Sequence, residues 1–170
     1  MFQSYTYGKL ELKDIPQKLM EWYEKNKEYE SDFSIVFGTD SQNFSDTKMV
    51  SVITMICEGH GGIFFYDVTR MPLIEDVRQK LYTETNASLN IANEITAILA
   101  TDYPVLYNNC HFSIHIDAGK SKYGKTKDLI PELVGWISNC TYDKKGELTY
   151  DCEVKPESFV ASSIADKISK

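Results

Sequence analysis

Three apolar runs rich in β-branched and aromatic residues follow one another in the first half of the chain. FSIVFGT (33–39), KMVSVITMICE (48–58) and IFFYDVTR (63–70) are the runs, and SQNFSDTK and GHGG connect them. Strand side chains alternate between two faces, and links this short and polar can only turn the chain back on itself. The runs therefore predict an antiparallel meander. From Met71 the period changes. After Pro72, Leu73, Val77, Leu81, Ser88, Ala92, Ile95 and Leu99 recur at helical spacing. That predicts a helix running to about Ala100, with Glu75 and Asp76 in a first turn where the dipole favours acids.

The flanks complete the order. Residues 14–28 (DIPQKLMEWYEKNKE) read as a helix, with Asp14 placed to cap it and Pro16 just inside. TDYPVLYNN is a connection, HFSIHID (111–117) a fourth strand and AGKSKYGKTK a Gly/Lys loop. DLIPELVGWISN is a second helix, in which Asp128 can cap and Pro131 is tolerated in the first turn. TYDKKGELTYDCEV holds a turn at Lys145-Gly146 and a short fifth strand, and KPESFVASSIADKISK closes as a helix from near Pro156. The expected architecture is α/β. Three antiparallel strands are followed by parallel βα units in a five-stranded mixed sheet with helices on both faces. No repeat or linker divides the chain, so residues 1–170 are expected to form a single domain with an N-terminal helical extension at about 1–30.

Composition excludes several classes. A formal charge of -7 argues against a wholly basic coat for nucleic acid, while leaving room for a local basic groove. The opening MFQSYTYGKLELKD lacks a basic segment followed by an apolar one, so no signal peptide is expected. No apolar run approaches the ~18 residues of a membrane span. The four cysteines, Cys57, Cys110, Cys140 and Cys152, show no paired short spacing, which fits reduced thiols and a cytoplasmic location.

Two of the apolar runs lead into an aspartate, SIVFGTD at Asp40 and FSIHID at Asp117. A carboxylate closing a buried strand is costly unless a cation meets it. If the strands lie side by side, their aspartates converge at one sheet edge, and a hard divalent ion is the usual cation there. Gly38, two residues before Asp40, leaves space on that face. Glu84 is a third acid, because it falls on the helix stripe with Val77, Leu81, Ser88 and Ala92; Glu94, between Ile91 and Ile98, is a weaker rival. The last helix offers Glu157 or Asp166, nine residues apart and so on opposite faces. Glu157, in the first turn, is preferred, with Asp166 as the alternative.

These residues resemble a known family. FGTDSQ (37–42), the HID of 115–117 with the loop ending at Lys125-Thr126, Glu84 in its ET pair and KPESFVASS (155–163) are similar to blocks of the YkuK-type family of ribonuclease H-like nucleases. The likeness runs from about Phe33 to the end, and the strand order is that of a ribonuclease H-like sheet. It implies a nuclease that hydrolyses phosphodiester bonds in RNA, DNA or a hybrid. Asp40, Glu84, Asp117 and Glu157 would hold two Mg²⁺ or Mn²⁺ ions about 3.5–4 Å apart, with Asp40 bridging them. Lys120, Lys122, Lys125 and Lys127, beside Asp117, would hold the nucleic-acid backbone. The last helix also resembles that of type 2 ribonucleases H, where an aspartate stands in the place of Glu157.

Other readings compete. Residues 119–126, GKSKYGKT, match GxxxxGK[ST] between a strand and a helix, the context of a nucleotide-binding P-loop. Against an NTPase, only about one strand remains afterwards and no later apolar strand ends in a Walker-B aspartate. The resemblance also accounts for the same loop. A zinc site from Cys110, His111, His115 and Cys140 or Cys152 lacks any CxxC or HxxxH knuckle. A non-catalytic nucleic-acid-binding module with the same fold is the third reading.

Overall fold

The computed structural model describes residues 1–119, 126–140, 150–155, 163–164 and 166–169, and for 119, 140, 166 and 169 the backbone alone. The meander forms from β3 (Phe33–Asn43), β4 (Thr47–Cys57) and β5 (Gly61–Met71). β4 pairs antiparallel along its whole length with both neighbours. Glycines close the second turn, where Gly59 and Gly61 adopt φ of 75° and 91°, a region costly for a residue with a Cβ. The first turn is shorter than the polar stretch 41–48 implies. Asn43 accepts from Thr47 Oγ1 at 2.9 Å and donates to the Ile74 carbonyl at 2.7 Å. With its polar groups paired, the ladder runs on past Asp40 to Asn43↔Thr47. Asp40 therefore lies within β3 and does not close it.

Seven strands make the sheet, in the order β2-β1-β5-β4-β3-β6-β7, not the five expected. The two additional strands are β1 (Phe2–Ser4) and β2 (Gly8–Leu10), a hairpin joined to β5 through Gln3↔Tyr66. Three residues are too few to display a period, so the sequence pattern misses them. The parallel half holds β6 (Cys110–Gly119), beside β3, and β7 (Asp151–Lys155), beside β6.

Helices occupy both faces. α1 (Ile15–Asn26) follows the hairpin and buries Ile15 and Leu19 completely. Asp14 does not cap it; its carboxylate accepts instead from the Glu11 backbone N–H at 3.3 Å. α2 (Val77–Asp102) starts later than Pro72, at an Asp76 cap whose side chain accepts from the Gln79 N–H at 2.7 Å. Leu73 and Val77, each 43% exposed, thus stand outside the buried stripe, and Glu75 precedes the helix. The stretch after it is itself helical, α3 (Pro104–Asn109), opened by its proline and anchored by buried Leu106. Asp128 falls inside a 3-10 turn, Lys127–Leu129, ahead of α4 (Ile130–Cys140). α5 (Asp166–Ser169) ends the described chain. The turn at Lys145-Gly146, the helix start near Pro156 and positions 120–125 of the Gly/Lys loop lie outside the described residues.

Two apolar layers result. Ile35, Phe37, Ile53, Met55 and Phe65 on one sheet face pack with Leu81, Leu89, Ala92, Ile95 and Leu99 of α2, with α1, and with Leu133 and Ile137 of α4. On the other face Val36, Val50 and Val52 form a smaller cluster, joined by Phe64, Tyr66, Ile164 and Ile168. Among the described residues no helix is long and apolar enough to cross a membrane.

Candidate functional site

β3 and β6 pair in parallel from Phe33↔Cys110 to Gly38↔His115, and the ladder stops there. Asp40 and Asp117 each lie two residues further on, on the face that carries Val36 and His115. Both lie within β3 and β6 just beyond the end of the parallel ladder, where the two strands no longer pair with each other. β6 is irregular at this point, because its pairing with β7 jumps from Ile116↔Val154 to Gly119↔Lys155. Such a bulge re-aims side chains, and here it falls on Asp117.

Glu84 reaches the same edge from the opposite face. It is 6% exposed on the buried stripe of α2, and its Oε1 accepts a hydrogen bond from Ser41 Oγ at 2.5 Å. Burial pushes its carboxyl up to about 8, and the charges of Asp40 and Asp117 push the same way, against the Ser41 hydrogen bond and Lys80. The three acids therefore share one electrostatic field. Glu94 is exposed.

The counter-charge for Asp117 is Lys155, whose Nζ lies 2.6 Å from Oδ1. That contact is an ion pair without the geometry of a directed hydrogen bond, so Oδ1 is buried yet accepts none. Gln42, on the Asp40 face, also buries its Oε1 without a hydrogen-bond partner. Carboxylate and amide oxygens with unfilled acceptor capacity are the donor set of a hard dication such as Mg²⁺ or Mn²⁺, so the residues fit such an ion chemically. They do not close a cage by themselves. Among the described residues, no three His, Cys, Asp or Glu side chains are grouped so as to hold a metal.

Of the remaining site residues, Glu157 and Lys120, Lys122 and Lys125 lie outside the described residues. Asp166 opens α5, but its side chain is not described. Lys127 is exposed in the turn before α4. For zinc, the described candidates form no cluster, and burial raises the Cys110 and Cys152 thiols to about 12 and about 11, away from the thiolate a metal needs. His111 is exposed, while His115 is buried against Glu153. Ser41, Gln42 and Lys155 were not singled out from sequence. The first two lie in the FGTDSQ block and Lys155 opens the KPESFVASS block, so all three could have been taken from those blocks.

With this geometry in place, comparison with known proteins gives a consistent answer. A family model described as Ribonuclease H-like matches residues 14–170. The chain is 27% identical over 180 aligned residues to the uncharacterized protein YkuK of Bacillus subtilis (strain 168), an alignment covering 100% of this chain and 97% of that protein. No solved structure matches it. The chain belongs to the ribonuclease H-like family, in its YkuK-type group. Membership places it in general among nuclease-type and nucleic-acid-binding modules.

Proposed function

We propose that this chain is a metal-dependent nuclease that hydrolyses phosphodiester bonds in nucleic acid. The observation that carries the reading is Glu84, a buried glutamate held by Ser41 within the field of Asp40 and Asp117. Such a site keeps its carboxyl protonated until a cation arrives, which is costly for a purely structural residue. Asp40, Glu84, Asp117 and a last-helix acid, Glu157 or Asp166, would hold Mg²⁺ or Mn²⁺, two ions by the family pattern. Divalent ions at such a site supply an activated water and offset charge at the phosphate.

The chain's own groups prepare the site. Ser41 fixes the orientation of Glu84, and Lys155 holds Asp117 against β7. Lys127, with Lys120, Lys122 and Lys125, would bind the nucleic-acid backbone next to Asp117.

A panel of single-stranded, duplex, hybrid and junction substrates with Mg²⁺ or Mn²⁺ tests the reading, run beside Asp40→Asn and Asp117→Asn. Cleavage by the parent chain, lost in both variants while their circular dichroism is unchanged, is the expected result. No cleavage of any substrate with either metal would remove the catalytic claim. The Lys155–Asp117 pair favours a second reading, a binding module whose site is already neutralised. That module would show salt-sensitive association without turnover.

A further inference from the structure

The sheet face that carries Asp40 continues past the last helix as an aromatic strip. α5 packs on β3 and β4, where Ile164 and Ile168 meet Val36, Val50 and Val52. Along β5 and β1 the face stays half-open. Tyr5, in the turn after β1, sets its ring 5.5 Å from Phe64 and 6.4 Å from Tyr66, and those two rings are 6.4 Å apart. Tyr5 is 82% exposed, and Phe64 and Tyr66 are half-buried. The Tyr66 hydroxyl donates to Gln3 Oε1 at 3.2 Å, which fixes that ring. A single exposed aromatic needs no explanation, but three in mutual contact form a platform.

The charge beside these rings is the reverse of the chain's. The whole chain carries -7, yet the charged side chains that β1, β2, β4 and β5 place on this face are Lys9, Lys48 and Arg70. Lys9 stands across Gln3 from Tyr66, and Arg70 stands across Lys48 from Gln42, beside the acidic edge. Lys48 donates to the Ile168 carbonyl at 2.6 Å. Arg70 meets Asp46 at 2.7 Å with its side chain 59% exposed, and an ion pair so open to water exchanges readily for another anion. Lys9 and Arg70 thus bracket the rings. Val68 is level with Asp40 across Val50, and Tyr66 lies two residues along β5 from Val68. The platform therefore begins roughly 12 Å from Asp40, at about 4.8 Å per strand and about 3.3 Å per residue.

Beyond Tyr66 the strip ends in a groove of about 300 Å³ lined by Phe64, Thr54, Ile56 and Ile164. Thr54 is 4% exposed, and its Oγ1 has no hydrogen-bond partner among the described residues. An apolar chain in the groove would leave that hydroxyl unsatisfied. A flat heterocycle meets both demands, with its face against Phe64 and a polar ring edge for Thr54. Rings to stack on, cations to either side and a hydroxyl for a ring edge together describe an unpaired stretch of nucleic acid. A duplex keeps its bases stacked on one another and offers these rings nothing.

We propose that this strip binds a single strand of nucleic acid, with bases against Tyr5, Phe64 and Tyr66 and phosphates toward Lys9 and Arg70. Substrates with an unpaired segment are then the ones presented to the acidic edge. Presentation to that edge rests on the nuclease reading; binding of the strand does not. Fluorescence anisotropy of a labelled oligothymidylate of about ten nucleotides, in EDTA so that nothing is cut, compares it with a blunt duplex of equal length. The parent chain should bind the strand about tenfold more tightly than the duplex. Tyr5→Ala changes an exposed side chain that the fold does not need, and should weaken strand binding about tenfold while leaving the duplex unchanged. Thr54→Val keeps the shape of the groove and should weaken strand binding about threefold. Lys9→Ala should lower the slope of log affinity against log salt by about 0.7, the share of one phosphate. Strand binding no tighter than duplex binding, or unchanged in Tyr5→Ala, would overturn the proposal. So would a concentration-dependent dimer in sedimentation that Tyr5→Ala dissolves, because the strip would then belong to a second copy of the chain. Tyr5-dependent strand binding by a chain that cuts nothing with Mg²⁺ or Mn²⁺ upholds the strip and removes the nuclease reading. Cleavage of duplex by a chain that does not bind the strand does the reverse.

Discussion

Ser41 Oγ donates to Glu84 Oε1 at 2.5 Å, so the residue after Asp40 in β3 secures the acid that α2 brings to the same edge. Ser41 and Glu84 are 6% exposed each, which leaves water little access to replace the hydroxyl. Ser41→Ala should therefore destabilise the chain by about 1–3 kcal/mol, the usual cost of a buried acceptor deprived of its donor. Urea unfolding measures this, and Ser41→Thr should recover part of the loss. Equal stability of Ser41→Ala and the parent would show that the contact contributes nothing.

Glu84 also sets a pH dependence. Its carboxyl is raised to about 8 in the folded chain from 4.5. Between those values the folded state holds a proton that the unfolded state has released, so stability falls as pH rises through that window. The contribution is fully present below 4.5 and lost above 8. Glu84→Gln keeps an acceptor for Ser41 but cannot ionise. In metal-free buffer the stability difference between variant and parent should grow, in the variant's favour, by a few kcal/mol from about pH 5 to about pH 9. Parallel profiles would show that Glu84 is not perturbed.

Much of this arrangement is legible in the sequence, and what is not has physical causes. The meander and the stripe of α2 can be read because long elements repeat their burial pattern many times. Glu84 stands out as an acid on an otherwise apolar stripe, and the structure buries it there. The β1–β2 hairpin and α3 escape because three or six residues give no period to count. The end of β3 is misjudged for a different reason. Ser41, Gln42 and Asn43 have turn composition, yet the pairing of Asn43 with Thr47 and the Ile74 carbonyl extends the ladder. Lys155 meets Asp117 only through an irregularity between β6 and β7, a tertiary feature with no local signature.

Beneath the acidic edge, Ser88 Oγ donates to Thr39 Oγ1 at 2.8 Å, and Thr39 Oγ1 lies 3.1 Å from Ser51 Oγ. These hydroxyls link α2, β3 and β4 with almost no exposure to water. Thr39→Val keeps the shape but leaves both serines without this partner, and should cost about 1–3 kcal/mol. Removing the stranded donor as well, in Thr39→Val/Ser88→Ala, should cost less than the sum of the two single changes. A double-mutant cycle by chemical denaturation reads this coupling, and strict additivity would mean that the two hydroxyls act independently.

The pair at the other acid predicts a competition. Lys155 Nζ lies 2.6 Å from Asp117 Oδ1, with the carboxylate side chain 18% exposed and the lysine side chain 43% exposed. The ammonium supplies the positive charge that a partly buried carboxylate requires, so a divalent cation taking that oxygen must first displace it. Lys155→Gln removes the competing charge and leaves a polar side chain of similar reach. Its midpoint for stabilisation by Mn²⁺, read as the shift of Tm with cation concentration, should fall by about threefold to tenfold relative to the parent. The gain should shrink as salt is raised, because part of the competition is screened. Asp117→Asn should weaken cation binding in both backgrounds and erase the difference between them. If Lys155→Gln binds Mn²⁺ no better than the parent while Asp117→Asn still weakens it, the lysine is a bystander to the cation and serves only to join β7 to β6.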